Sequence, residues 1–136
     1  MQSFLKKILL ILALVSVPVL AAPDFLPPEK AFKVEATWPE KSNQIELEFL
    51  PAKGYYIYQE SLKFELGTEL GKLANIKPAL PMGIEKFDET FQKKMQIYKQ
   101  PFMVLLDVKS DAGKPLHIEV SLQGCAEAGI CYPPMT

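Results

Sequence analysis

The only two cysteines of the chain, Cys125 and Cys131, stand in the stretch QGCAEAGICYPP, with five residues between them. Thiols so spaced could hold a metal, close a structural staple or work as an exchanging redox pair. A soft metal such as zinc needs about four ligands. The one histidine, His117, falls on the polar face of an alternating segment, and Met82, Met95, Met103 and Met135 form no tight cluster. Metal is therefore the weakest of the three readings, and neither a metal nor a cofactor is expected.

The other two stay open on the residues alone. AEAGI can form a hairpin loop in which Gly129 takes positive φ, so that the flanking cysteines face each other across two antiparallel strands. Facing positions without mutual hydrogen bonds bring Cα atoms to about 4.5 Å, close enough for a disulfide. The ring so closed is small and constrains little unfolded-chain entropy, which tilts the balance toward function. A redox pair needs one attackable sulfur, access for a partner and shielding from others. Pro133 and Pro134 follow Cys131-Tyr132 and cannot donate ladder hydrogen bonds, leaving that edge irregular. No positive charge adjoins either cysteine in the sequence, and Glu127 lies between them.

The segments that must position this pair alternate with period two. Phe32, Val34, Ala36 and Trp38 share one face, as do Ile45, Leu47 and Phe49, then Leu62, Phe64 and Leu66. Phe102, Val104, Leu106 and Val108 form another such set, and Leu116, Ile118, Val120 and Leu122 the last. Turns fall at 39–43, in PAKG before the aromatic YYIY, and in DAGK at 111–114. Residues 22–30 read as an extended lead-in and 77–83 as a loop, while 84–99 mixes charges with aromatics without a clean period. Short alternating strands separated by turns predict an antiparallel all-β sandwich of the immunoglobulin-like kind. Its expected core includes Trp38, Phe49, Phe64, Phe102, Leu106 and Val120.

The chain has 136 residues, room for one domain. It opens with Lys6 and Lys7, an apolar run over 8–20 and small residues around Ala21, the pattern of a secretory signal peptide over 1–21. The run is short for a membrane anchor, which needs roughly 20 apolar residues. Without the signal, 13 lysines face 16 acids, a formal charge of −3, and there is no arginine. A mildly acidic domain lacking the bidentate arginine fork is a poor nucleic-acid binder. Export also places the cysteines in an oxidising compartment, where two can pair.

Three stretches resemble one family in its own order. QGCAEAGICYPP is similar to the cysteine motif of the N-terminal periplasmic domain of the bacterial thiol:disulfide interchange protein DsbD. GYYIYQESLKFE (54–65) resembles its aromatic segment and FDETFQKKMQIY (87–98) its cap-loop region. The resemblance implies an immunoglobulin-like domain over 22–136, shortened at its C-terminal end, working in a protein-disulfide reductase system. Electrons would come from a thioredoxin-like donor domain and pass to a periplasmic disulfide isomerase or to cytochrome c maturation thioredoxins. It implies a redox disulfide Cys125–Cys131, with Cys131 forming the mixed disulfide and Cys125 resolving it. Phe91, within Asp88-Glu89-Thr90-Phe91, would cover the disulfide, and Tyr56 and Tyr58 would pack beside it. The implied location is the periplasm, with no membrane span in the mature chain and an inner-membrane tether if the chain is a piece of a longer protein. The rival from the residues alone is a secreted β-sandwich binding module whose disulfide is purely structural.

Overall fold

The computed structural model describes residues 24–40, 42–67, 73–108 and 116–136. The expected signal peptide and the DAGK turn lie outside them. Alternation becomes strand where it was expected. The strands are β1 (Phe32–Thr37), β2 (Gln44–Pro51), β3 (Tyr55–Tyr58), β4 (Lys63–Gly67), β5 (Ala74–Ile76), β6 (Ile84–Asp88), β7 (Lys93–Tyr98), β8 (Phe102–Asp107), β9 (His117–Ser121) and β10 (Gly124–Ala126). All pairings are antiparallel. They make three sheets, ordered β1-β2-β8, β10-β3-β7-β6 and β5-β4-β9. The protein is an immunoglobulin-like antiparallel β-sandwich, with a 3-10 turn at Gln59–Ser61 and a short α-helical turn, α1 (Pro28–Ala31), that overlaps the stretch expected to be extended. Pro28 tolerates that place because its missing N–H would have no partner in a first helical turn.

The β1-β2-β8 sheet turns one face inward, and the other two sheets close over it. Ile45, Leu47 and Phe49 of β2 and Val104 and Leu106 of β8 are buried almost completely. Each such side chain contributes roughly 1.5–3 kcal/mol relative to exposure. Phe49 meets Phe64 of β4 edge to face, with ring centroids 6.2 Å apart, and stacks on Phe102 at 4.7 Å. Phe32 of β1 meets Tyr55 of β3 and Tyr132 in the same way, so the end that carries the cysteines is packed into the core.

Two further expectations change. Trp38 is 46% exposed. It lies one residue past the end of β1, where the chain has begun to turn, and its indole N–H donates to the Ser42 carbonyl at 2.9 Å. The segment without a clean period holds two paired strands, β6 and β7. Its inward face carries Lys86 and Asp88 on β6 opposite Met95 and Lys93, so polar residues interrupt the alternation.

Candidate functional site

β3 and β10 lie side by side, with Cys125 opposite Tyr56 and Gly124 opposite Ile57. The pairing is fastened at its far end by Ser61, whose hydroxyl donates to the Tyr58 and Gln123 carbonyls and accepts from the Gln123 amide. Beyond β10 the chain reverses through Glu127-Ala128-Gly129, where Gly129 has φ +108°. The Ala126 amide then bonds to the Ile130 carbonyl at 2.7 Å, and the Tyr132 amide to the Gly124 carbonyl at 3.0 Å. Between these two bonds Cys125 and Cys131 face each other, with Cα atoms 4.0 Å apart, and are joined as a disulfide. The two cysteines are not equivalent. Cys125 is 1% exposed, whereas Cys131 is open to solvent.

Period two sends the β3 side chains to opposite sides of their sheet. Tyr55 and Ile57 join the main core, while Tyr56 and Tyr58 join Met95, Ile97 and Cys125 in a second buried cluster. The Tyr58 hydroxyl oxygen sits 3.2 Å from Sγ of Cys125 and 3.9 Å from Sγ of Cys131. In the disulfide neither sulfur carries a proton, and the Tyr58 O–H donates to Oδ2 of Asp88 at 2.5 Å. Once the disulfide is reduced, the Cys125 thiol can donate to that hydroxyl. Cys125, Tyr58 and Asp88 thus form one chain of polar contacts.

Asp88 is the one buried charged residue among those described, at 4% exposure. Burial alone would push its carboxyl upward. The Tyr58 hydroxyl, the Phe91 and Thr90 amides and the charge of Lys86 together outweigh this and hold it below the ordinary carboxylate range. Tyr58 moves the opposite way, raised by burial first and then by its bond to Asp88, so it stays a protonated donor at any physiological pH. Oδ1 of Asp88 accepts from the amides of Thr90 and Phe91 at 2.9 and 3.1 Å, which ties the β6–β7 turn to the site. Phe91, 48% exposed, meets the Tyr58 ring edge to face at 6.0 Å. Glu89 is exposed at the same turn. Gln92, which donates to the Glu89 carbonyl, has φ +53°, the only positive φ of a described non-glycine residue.

Because the folded carboxyl is held low, its stabilising effect is complete above the ordinary pKa of about 3.9 and is lost as pH falls through the lower folded value. Asp88→Ala is expected to cost about 2–3 kcal/mol at pH 7, since it also leaves the buried Tyr58 hydroxyl without an acceptor. The gap to the wild type should narrow below pH 4. Denaturant unfolding at pH 7 and pH 3 measures both, and a pH-independent gap would contradict the assignment.

All the residues expected at the site, Cys125, Cys131, Asp88, Glu89, Phe91, Tyr56 and Tyr58, come together at one end of the β10-β3-β7-β6 sheet. Sequence reasoning missed Lys86, because the cation that shares a cleft with Cys131 arrives on β6 rather than along the chain. Its Nζ lies 4.9 Å from the Tyr56 ring centroid and donates to the Tyr56 hydroxyl at 3.3 Å. Gly124 was missed too. A Cβ there would stand 2.4 Å from Phe32 and 2.5 Å from the Tyr56 carbonyl, so only glycine lets β10 lie this close. Tyr132, read from the sequence only as part of the cysteine motif, packs on Phe32, and its hydroxyl donates to the Leu26 carbonyl at 2.6 Å.

This arrangement has relatives. The chain is 37% identical over 131 residues to the thiol:disulfide interchange protein DsbD of Ralstonia nicotianae, covering 96% of this chain and 21% of that one. It is 43% identical over 119 residues to DsbD of a Pseudomonas species, covering 88% and 19%. The chain therefore spans about a fifth of the length of these relatives. Among solved structures, the N-terminal domain of Neisseria meningitidis DsbD in its reduced form matches with a TM-score of 0.66 at 34% identity, covering 81% of this chain and 83% of that one. The same species' DsbD N-terminal domain, in complex with the PilB N-terminal domain, matches with a TM-score of 0.65 at 34% identity, covering 84% of each. The family described as thiol:disulfide interchange protein DsbD, N-terminal, matches residues 22–136. With a cysteine pair joined at one end of the sandwich, thiol-disulfide exchange is the chemistry these likenesses share, and the chain belongs to the family of DsbD N-terminal domains.

Proposed function

We propose that this domain relays reducing equivalents in the periplasm, taking them from a thioredoxin-like donor and giving them to periplasmic acceptor proteins through the Cys125–Cys131 couple. The observation that carries the reading is the asymmetry of the pair, one cysteine exposed and the other buried against a tyrosine hydroxyl. A donor thiolate attacks Sγ of Cys131. The Cys125–Cys131 bond breaks, and Cys125 leaves as a thiolate that takes a proton from water, the thiol so formed donating to the Tyr58 hydroxyl 3.2 Å away. The donor's second thiolate then attacks the donor sulfur of the mixed disulfide and releases Cys131. The donor ends as a disulfide and the domain as a dithiol, with two electrons transferred. Run in reverse, Cys131 attacks an acceptor disulfide and Cys125 resolves the adduct. Acceptors of this class are a disulfide isomerase or cytochrome c maturation thioredoxins.

Phe91 acts in this reading as a cover. Standing on Tyr58, it limits the approach of stray thiolates, and exchange requires direct approach to sulfur. A docking partner displaces it. The complex formed by the Neisseria DsbD N-terminal domain with another protein's domain supports recognition by docking.

The equilibrium potential of the couple tests the relay. A value between about −180 and −270 mV by glutathione titration, within the thioredoxin-like range, is expected. Phe91→Ala should speed reaction with a small thiol roughly tenfold, since it widens access to the exposed cysteine. A potential below about −300 mV, with no change in Phe91→Ala, would make the bridge a structural staple and end the relay reading.

A further inference from the structure

A cleft of about 390 Å³ opens between the β6–β7 turn and the cysteine hairpin, and Cys131 and Lys86 both line it. The other charges around it are carboxylates. Asp88 and Glu89 stand on the β6 side and Glu127 on the hairpin. An incoming thiolate is itself an anion, so Asp88 and Glu89 oppose the approach that exchange requires, and Glu127, paired with Lys99, does so less. Of the neighbouring lysines, Lys93 pairs with Glu60 and Lys94 with Glu85, away from the cleft, while Lys99 pairs with Glu127 and offsets that carboxylate. Lys86 makes no ion pair among the described residues. It is half-buried, and its ammonium is held over the Tyr56 ring by a cation–π contact and a hydrogen bond to the Tyr56 hydroxyl. Tyr56 in turn packs on Tyr58 edge to face at 5.4 Å and lies opposite Cys125 in the ladder.

Resting on the relay reading, we infer that Lys86 is a specificity-determining residue: a fixed cation that draws anionic thiolates to Cys131 against the surrounding carboxylates. Its field acts on whatever enters the cleft and favours partners carrying negative charge beside their attacking sulfur. Tyr56 serves as the platform that keeps a flexible lysine in place. The chemical class selected is a thiol flanked by an acidic group, whether on a protein surface or on a small molecule.

Three small thiols of different charge test this on the oxidised mature domain: 2-mercaptoethanesulfonate, 2-mercaptoethanol and cysteamine. Rates are expressed per thiolate, so that differences in thiol pKa cancel, and are measured in both the wild type and Phe91→Ala. Lys86→Met keeps the apolar stem and loses the charge, while Lys86→Arg keeps the charge. The ratio of the sulfonate rate to the cysteamine rate should fall about fivefold in Lys86→Met and hold in Lys86→Arg, and the wild-type preference should weaken with added salt. A merely structural lysine would change all three rates alike. A sulfonate-to-cysteamine ratio that is the same in the wild type and Lys86→Met would overturn the inference and leave the relay standing. Failure of all three thiols to exchange, even with Phe91→Ala, would overturn the relay and this inference with it.

Discussion

Cys131→Ala is expected to lose oxidation of a thioredoxin-like dithiol by at least about a thousandfold, the scale seen when an enzyme loses its reacting nucleophile. The same domain with Cys125→Ala should behave differently. Its remaining thiol, Cys131, is open to solvent, so it should capture an oxidised partner as a mixed disulfide and then fail to release it. In Cys131→Ala the remaining thiol is enclosed by Tyr56, Tyr58, Met95 and Ile97, and no adduct should form. Non-reducing electrophoresis after mixing with an oxidised thioredoxin-like protein separates the outcomes. Adducts from both variants in equal yield would mean that the buried sulfur is reachable, and the assignment of attack to Cys131 would fail.

Gly124→Ala should destabilise the domain by about 3 kcal/mol, at the upper end for overpacking in a well-filled core. The added Cβ would meet two Phe32 ring carbons at 2.4 and 2.7 Å and the Tyr56 carbonyl oxygen at 2.5 Å. Phe32 cannot swing away freely, because Tyr55 and Tyr132 pack against its ring. The carbonyl belongs to the β3 backbone, so relief requires β10 to part from β3, and Cys125 moves with it. Gly129→Ala is the natural comparison. Nothing lies within 4 Å of a Cβ there, and only the positive φ opposes the change, a cost of about 1 kcal/mol. Denaturant unfolding of both variants measures the difference. A Gly124→Ala loss no larger than that of Gly129→Ala would show that the sheet yields easily at this point.

What could be read from the sequence, and what could not, follows one physical line. Period-two alternation reports a strand with one wet face and one dry face, and β2 and β8 obey it fully: Ile45, Leu47, Phe49, Val104 and Leu106 are all buried. The pattern fails where both faces are dry or where the buried face is polar. YYIY in β3 is buried at every position because each of its faces meets a different cluster. β6 defeats the pattern the other way, by turning Lys86 and Asp88 toward a chemical site rather than a core. Trp38 shows a third limit, since alternation does not say where a strand stops. At the site, the cysteine motif and the cap residues were legible through family likeness. Lys86 and Gly124 were not, because their importance depends on what lies across a sheet from them.

The division of β3 between two clusters has a consequence for how such a domain can change over generations. One strand is a party wall: Tyr55 and Ile57 furnish the room that keeps the protein folded, Tyr56 and Tyr58 the room that houses the sulfur chemistry. Because the occupants of the two rooms meet through backbone rather than through shared side chains, their substitutions should combine almost additively. Redox character can then drift by exchange of residues such as Met95 or Tyr56 while the large core stays as it is. The scaffold and its chemistry occupy opposite sides of a single strand of four residues.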